Sequence, residues 1–226
     1  PLRLVGSEMC IRDRYYSGSE GIGMTHADPD QWLKFPGTVG KPLMGILHIC
    51  DEQGHQVPIG EIGKIYFESD HEFHYHNDTK KREKAKHSDH SSWSSFGDIG
   101  YVNEEGYLFL TDRESFMIIS GGVNIYPQEV ENLLSMHEDV EDVAVIGIPD
   151  EDMGEQVKAY IKLSQNAEIR TNQAEYFIEY TRSNLAHYKC PKSIDFVDNL
   201  PRSDAGKLVK RYLKSVSYTH LRAHET

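Results

Sequence analysis

The chain has 226 residues, with 24 Lys and Arg against 36 Asp and Glu and a formal net charge of −12. That acidity argues against a nucleic-acid-binding surface, and no stretch approaches the roughly 18 consecutive apolar residues a membrane span requires. Cys10, Cys50 and Cys190 are too widely spaced for a metal motif or a disulfide framework, which fits a reduced, cytoplasmic setting.

The length suits one large or two modest domains. Both ends are set aside first. Leu4–Arg14 ("LVGSEMCIRDR") and Val216–Thr226 ("VSYTHLRAHET") resemble translated sequencing-adapter sequence. Neither carries an amphipathic period or a capping signal, and Val5–Ile11 lacks the flanks of a secretory signal. With residues 1–14 and 216–226 excluded, the protein to be read runs from about Tyr15 to Ser215.

In chain order, "YYSGSEGIG" from Tyr15 reads as a strand end meeting a small-residue turn. "MGILHIC" and "GEIGKIYFES", joined through the polar "DEQG", form a hairpin pattern of β-rich runs bounded by Gly and Asp. The polar stretch Ser69–Ser92 holds five histidines (His71, His74, His76, His87 and His90) and reads as a solvated loop rather than a metal site, since no cysteine accompanies them. "GYVNEEGYLFL" is a second hairpin turning at Glu104–Gly106. Beyond "TDRESFMIIS" the texture changes to alternating helix and strand. "YPQEVENLLSMH" opens on Pro127 and spaces Val130, Leu133 and Leu134 as a helix does. "VEDVAVIGIP" suits a buried strand, and "QVKAYIKL" alternates as a half-buried one. "NQAEYFIEYTRSNL" is an amphipathic helix with Phe177, Tyr180, Asn184 and Leu185 near one face. "KSIDFVDNL" is the last strand. The reading is α+β: a β-rich region over residues 15–112, then a small α+β domain over residues 113–215, with period and composition shifting together near Asp112–Arg113.

Three places offer chemistry. Ser19 and Glu20 set a hydroxyl and a carboxylate side by side in a turn. Asp98 stands just beyond a glycine, where a carboxylate can face paired hydroxyls. "LPRSDAGKLVKRYL" delivers Lys207 after Ala205 and Gly206, a compact charge on a flexible stem with room for close approach. That lysine reads as the start of an amphipathic helix, on which Lys210, Arg211 and Lys214 form a solvated face. Each feature taken singly also suits an ordinary turn or cap.

"YSGSEG", "GTVGKP", "GEIGKIYF", "FGDIGYV", "DRESFMIISGGVNIYPQEVE", "LAHYKCP" and "LPRSDAGK" occur in order at matching separations. Together they resemble the second half of the adenylate-forming acyl-CoA synthetases, the superfamily that includes acyl- and aryl-CoA ligases, peptide-synthetase adenylation domains and luciferases. The resemblance covers nearly all of Tyr15–Ser215. It implies that Tyr16 stacks on adenine, Ser19 contacts phosphate, Glu20 holds Mg²⁺, and Asp98 and Arg113 reach the nucleotide sugar. It also implies that Gly121 and Gly122 line the coenzyme A path, that Ser115 is the hinge of a mobile C-terminal domain, and that Lys207 bridges the substrate carboxylate and the α-phosphate. Ser17 replaces a usual glycine, Ser115 a usual Asp or Lys, and Phe116 a common polar residue.

The implied reaction joins a small carboxylic acid, a fatty acid by preference, to coenzyme A through an acyl-adenylate formed from ATP. The rival readings are a non-catalytic nucleotide-binding remnant, an aryl-CoA ligase and a luciferase-like oxygenase. The family's Ser/Thr/Gly-rich phosphate loop and most of its acyl pocket lie upstream of "YSGSEG". The chain by itself is therefore expected to be inactive, with strands before Arg113 short of partners.

Overall fold

The computed structural model describes residues 13–73 and 79–214. They fall into two compact units that divide between Ser115 and Phe116. His74 and His76 lie outside the described residues.

The first unit is built on an eight-stranded sheet. Its strands are β1 (Arg14–Ser17), β2 (Met24–Ala27), β3 (Thr38–Met44), β4 (Ile46–Cys50), β5 (Gly63–Glu68), β6 (Trp93–Ser94), β7 (Asp98–Val102) and β8 (Leu108–Arg113). The order is β1-β2-β3-β8-β7-β5-β4, with β6 on β5. Both expected hairpins form: Ile46 pairs with Glu68 and Cys50 with Lys64, while Asp98 pairs with Arg113 across β7 and β8. In the second, the Gly106 amide donates to the Asn103 carbonyl (2.9 Å), with Gly106 at φ +83°. The strands before Arg113 thus find partners inside their own unit, contrary to the shortage expected. A helix, α1 (Pro29–Lys34), starts on a reciprocal cap between Asp28 and Gln31. Ile22, Ile65, Phe67, Phe73, Ala85 and Leu108 form the main core.

The histidine-rich stretch departs from the solvated loop expected of it. Thr79–Ala85 is helical (α2). His87 is buried at 5% exposure. Its Nε2 donates to the Gly54 carbonyl (2.8 Å), which leaves Nδ1 to accept the amides of Asp89 and His90 at 3.1 and 3.3 Å. Trp93 lies between the rings of His48 and His90, with centroids 3.7 and 4.1 Å away. Buried Trp93, just past the stretch, stacks with His90 and with His48 of β4, which composition could not show. No three His, Cys, Asp or Glu side chains converge as a metal set among the described residues. No helix among them is long and apolar enough to cross a membrane.

The second unit carries a five-stranded sheet of order β10-β9-β12-β11, with β13 parallel to β12. The strands are β9 (Ile118–Ser120), β10 (Val123–Ile125), β11 (Val140–Asp150), β12 (Gly154–Leu163) and β13 (Ser193–Phe196), and the helices are α3 (Pro127–Ser135) and α4 (Gln173–Asn184). β11 reads as a continuous apolar run because both its faces are covered. Val143 and Val145 face a core with Val130, Leu134 and Phe177. Ala144, Ile146 and Ile148 face the opposite cluster, with Leu200 and Leu213. The buried stripe of α4 is Gln173, Phe177 and Thr181. Asn184, expected on that face, is instead exposed and donates to the Tyr180 carbonyl (2.8 Å).

Candidate active site

In the first unit, three of the predicted nucleotide residues meet. β1 brings Tyr16, and the β7–β8 register sets Asp98 opposite Arg113. The Tyr16 hydroxyl donates to Asp98 Oδ2 (2.8 Å). The Arg113 Nε lies 3.1 Å from Asp98 Oδ1. Asp98 is buried at 7% exposure, while the side chain of Arg113 is 63% exposed. Burial, reinforced by the Asp98 carboxylate, pushes the Tyr16 phenol far above its ordinary range, so it remains a donor. The Tyr16 ring packs edge-on against Phe96, with centroids 5.6 Å apart.

Ser19 and Glu20 occupy the corners of a tight turn closed by the Gly21 amide on the Gly18 carbonyl (3.1 Å). The Ser19 hydroxyl donates to Glu20 Oε2 (3.3 Å). A Cβ on Gly18 would meet Glu20 Oε2 and the Phe96 ring, both at 2.5 Å. The glycine is what lets the carboxylate fold back over the turn. Ser17, the departure from the family's glycine, is exposed at the end of β1. Glu114 donates its amide to the Gly97 carbonyl (2.9 Å), and its side chain pairs with Lys64 (2.9 Å). Ser115 follows in a single 3₁₀ turn, Glu114–Phe116.

In the second unit, Gly121 and Gly122 form the two-residue turn of the β9–β10 hairpin, at φ +57° and +79°. The turn joins two strands, not a strand to the Pro127 helix. No atom lies within 4 Å of a Cβ built on Gly122, so a ligand can approach its backbone.

Lys207 stands differently from its sequence reading. Ser203–Gly206 closes a tight turn, with the Gly206 amide on the Ser203 carbonyl (2.7 Å) and Gly206 at φ +76°. Arg202 and Leu208 bridge behind it. Lys207 therefore lies on the returning arm of a hairpin-like turn, and helical backbone begins only at Lys210. Its side chain is exposed, and no carboxylate among the described residues pairs with it. Lys210 does not belong to a solvated face. It is 6% exposed and pairs with buried Glu131 at 2.7 Å. A signal for this was present: Glu131 falls on the same helical stripe as Pro127, Val130 and Leu134, all buried.

Residues 129–207 match the AMP-binding enzyme C-terminal domain. An uncharacterized acyl–CoA ligase of Bacillus subtilis is 37% identical over 211 residues, which are 90% of this chain and 41% of that protein. The o-succinylbenzoate CoA synthetase of Bacillus subtilis, solved with its acyl-adenylate intermediate, superposes with a TM-score of 0.75 at 31% identity, over 89% of this chain and 40% of that one. Over both units the chain is similar to adenylate-forming acyl-CoA synthetases. It spans about two fifths of the length of such relatives, as it does for ATP-bound MatB from Rhodopseudomonas palustris (TM-score 0.77, 30% identity, 90% of this chain and 40% of that one). A long-chain-fatty-acid–CoA ligase of Bacillus subtilis is 35% identical over 86% of this chain and 35% of its own length. CoA ligases named for different acids thus resemble it across both units.

Proposed function

We propose that the protein acts as an AMP-forming acid–thiol ligase, converting a carboxylic acid and ATP to an acyl-adenylate and then to an acyl-CoA. The observation that carries this reading is the convergence of Tyr16, Asp98 and Arg113. A buried carboxylate with both oxygens engaged is held rigidly, and it can receive ribose hydroxyls with little reorganisation. Adenylation brings an anion to a polyanion, so positive charge is needed where the phosphate and carboxylate meet. Lys207, exposed on a glycine turn, supplies an ammonium that no carboxylate among the described residues competes for. Ser19 contacts phosphate in this reading. Glu20 would hold Mg²⁺, and a hard carboxylate folded over a small-residue turn suits an ion usually bound through one or two carboxylates plus substrate phosphates. When bound, that ion would neutralise phosphate charge.

The open backbone at Gly122 beside Gly121 suits the approach of the coenzyme A arm. Rotation near Ser115 would exchange the two half-reactions, and the division of the chain beside that residue supports this. For the acid we propose a fatty acid. The long-chain relative and the "GGVNIYP" and "LAHYKCP" segments favour it, while a 2-succinylbenzoate–CoA ligase of Geobacillus, 35% identical over 83% of this chain and 37% of its own length, makes an aromatic acid the second reading.

The test is ATP–pyrophosphate exchange by the whole enzyme with and without Lys207→Ala. Losing one such electrostatic donor is expected to slow adenylation about 10²-fold or more. Thioester formation from preformed adenylate should be largely spared. Absence of exchange with any acid in the unaltered enzyme, or equal damage to both half-reactions in the variant, rejects the assignment.

A further inference from the structure

Lys207 and Lys210 stand three residues apart in the sequence and meet opposite fates. The Lys210 ammonium lies 2.7 Å from Glu131 Oε1, and the two side chains are 7% and 9% exposed. Glu131 sits on α3, and the same Oε1 accepts the Val145 amide of β11 (2.6 Å). One carboxylate therefore ties together α3, β11 and the segment that follows the Lys207 turn. The Lys210 ammonium also lies 4.9 Å from the centroid of the Phe116 ring. Phe116 is the first residue of the second unit. Leu208 and Leu213, on either side of Lys210, pack into the apolar cluster with Leu200 and Tyr160.

We propose that Lys210 is a positioning residue that couples the start of the mobile unit at Phe116 to the turn presenting Lys207. The inference rests on the reading of Lys207 as the adenylation lysine and of Ser115 as the hinge. The physical ground is the burial of the pair. A desolvated ammonium cannot leave its carboxylate without orphaning a buried charge, so Lys210 is pinned more firmly than any exposed ion pair would hold it. The aromatic face receives the same cation, which a polar side chain at 116 could not do. On the other side of Ser115, Glu114 is pinned within the first unit through Lys64 and the Gly97 carbonyl. Both neighbours of Ser115 are thus fixed, each to its own unit, which confines the change in backbone torsion to Ser115. Any rotation begun there moves Phe116, Lys210 and the Lys207 turn as one piece.

The test uses amide hydrogen exchange on the full chain, comparing Lys210→Met, Lys210→Arg and the double variant Lys210→Met with Glu131→Gln. The double variant leaves no unpaired buried charge and so keeps the test open should Lys210→Met fail to fold. Loss of the anchor should raise exchange at Phe116, Lys207 and Val209 about tenfold or more, with the amides paired between β11 and β12 unchanged. Lys210→Arg should restore protection. Unchanged exchange at those three amides in a folded variant, or a uniform rise across the second unit, overturns the proposal.

A second measurement separates it from the reading beneath it. In the whole enzyme, Lys210→Met should lower the adenylation rate with little change in the KM for ATP, and Lys210→Arg should recover it. If Lys207→Ala abolishes ATP–pyrophosphate exchange while the Lys210 variants leave it intact, positioning fails and the function stands. If Lys207→Ala leaves exchange intact, the function itself fails.

Discussion

The two units hold their candidate residues in opposite ways. In the first, Tyr16 and Asp98 are hydrogen-bonded in a largely buried setting, and strand register sets the exposed Arg113 against the same carboxylate, so the group is organised before any ligand arrives. In the second, Lys207 rides exposed on a glycine turn while Lys210, three residues on, is buried and paired. The contrast teaches that a chain can fix one recognition group and leave another free, by deciding which carboxylate meets which cation. A residue that must receive a ligand in one geometry gains from preorganisation. A lysine proposed to serve only one of two half-reactions would gain from having no carboxylate among the described residues to abandon.

Several substitutions test this contrast. The largest effect is expected from Phe177→Ala. Phe177 is fully buried in the core between α4 and the second sheet, and its truncation should destabilise that unit by about 3–5 kcal/mol. Exchange resolved by unit should show loss in residues 116–214 with the first sheet protected, and equal loss in both would contradict their independence. Asp98→Asn comes next. It removes the charge that faces Arg113 and weakens the acceptor for Tyr16, at an expected cost of roughly 2 kcal/mol to the first unit. Denaturation should register it, whereas Tyr16→Phe should cost less because no charge is left unpaired.

Gly206→Ala is smaller. At φ +76° a side chain strains the turn by about 1 kcal/mol, though nothing lies within 4 Å of the added Cβ. Thermal unfolding should shift slightly, while adenylation falls more than stability does if the turn geometry serves Lys207. The smallest effect concerns acid. Hydrogen bonding by Arg170, with help from the Glu168 amide, holds the Asp139 carboxyl below its ordinary value. Its stabilisation is therefore complete above the unfolded carboxylate value of about 3.9 and is lost as pH falls further. Asp139→Asn should lower the second unit's stability at pH 7 and flatten its acid limb, so that the two stability curves converge as pH falls below the unfolded carboxylate value. An unaltered limb would show that the pair contributes nothing.

Much of this was legible without coordinates, and for definable reasons. The hairpins at "DEQG" and "NEEG" were readable because turn residues bound period-two runs, and both formed in register. α3 was readable from Pro127 and the spacing of Val130 and Leu134. Lys207 was noticed because small residues precede it, yet its distance from the helix was misjudged, since Arg202 and Leu208 pair across the turn. Lys210 was misread because lysine is almost always solvated, and only a buried glutamate brought from α3 could reverse that default.

The same division holds for the molecule as a whole. By itself the sequence determined most of its elements, its family resemblance and a set of candidate residues, because propensity, period and motif spacing are local properties of a chain. Only the tertiary structure decided which charges are spent inside the protein and which remain free. Asp98 received Tyr16 and Arg113, Glu131 received Lys210, and Lys207 received no carboxylate among the described residues. Those pairings depend on residues far apart in the chain arriving within hydrogen-bond reach in a low-dielectric interior, where an unpaired charge is too costly to persist.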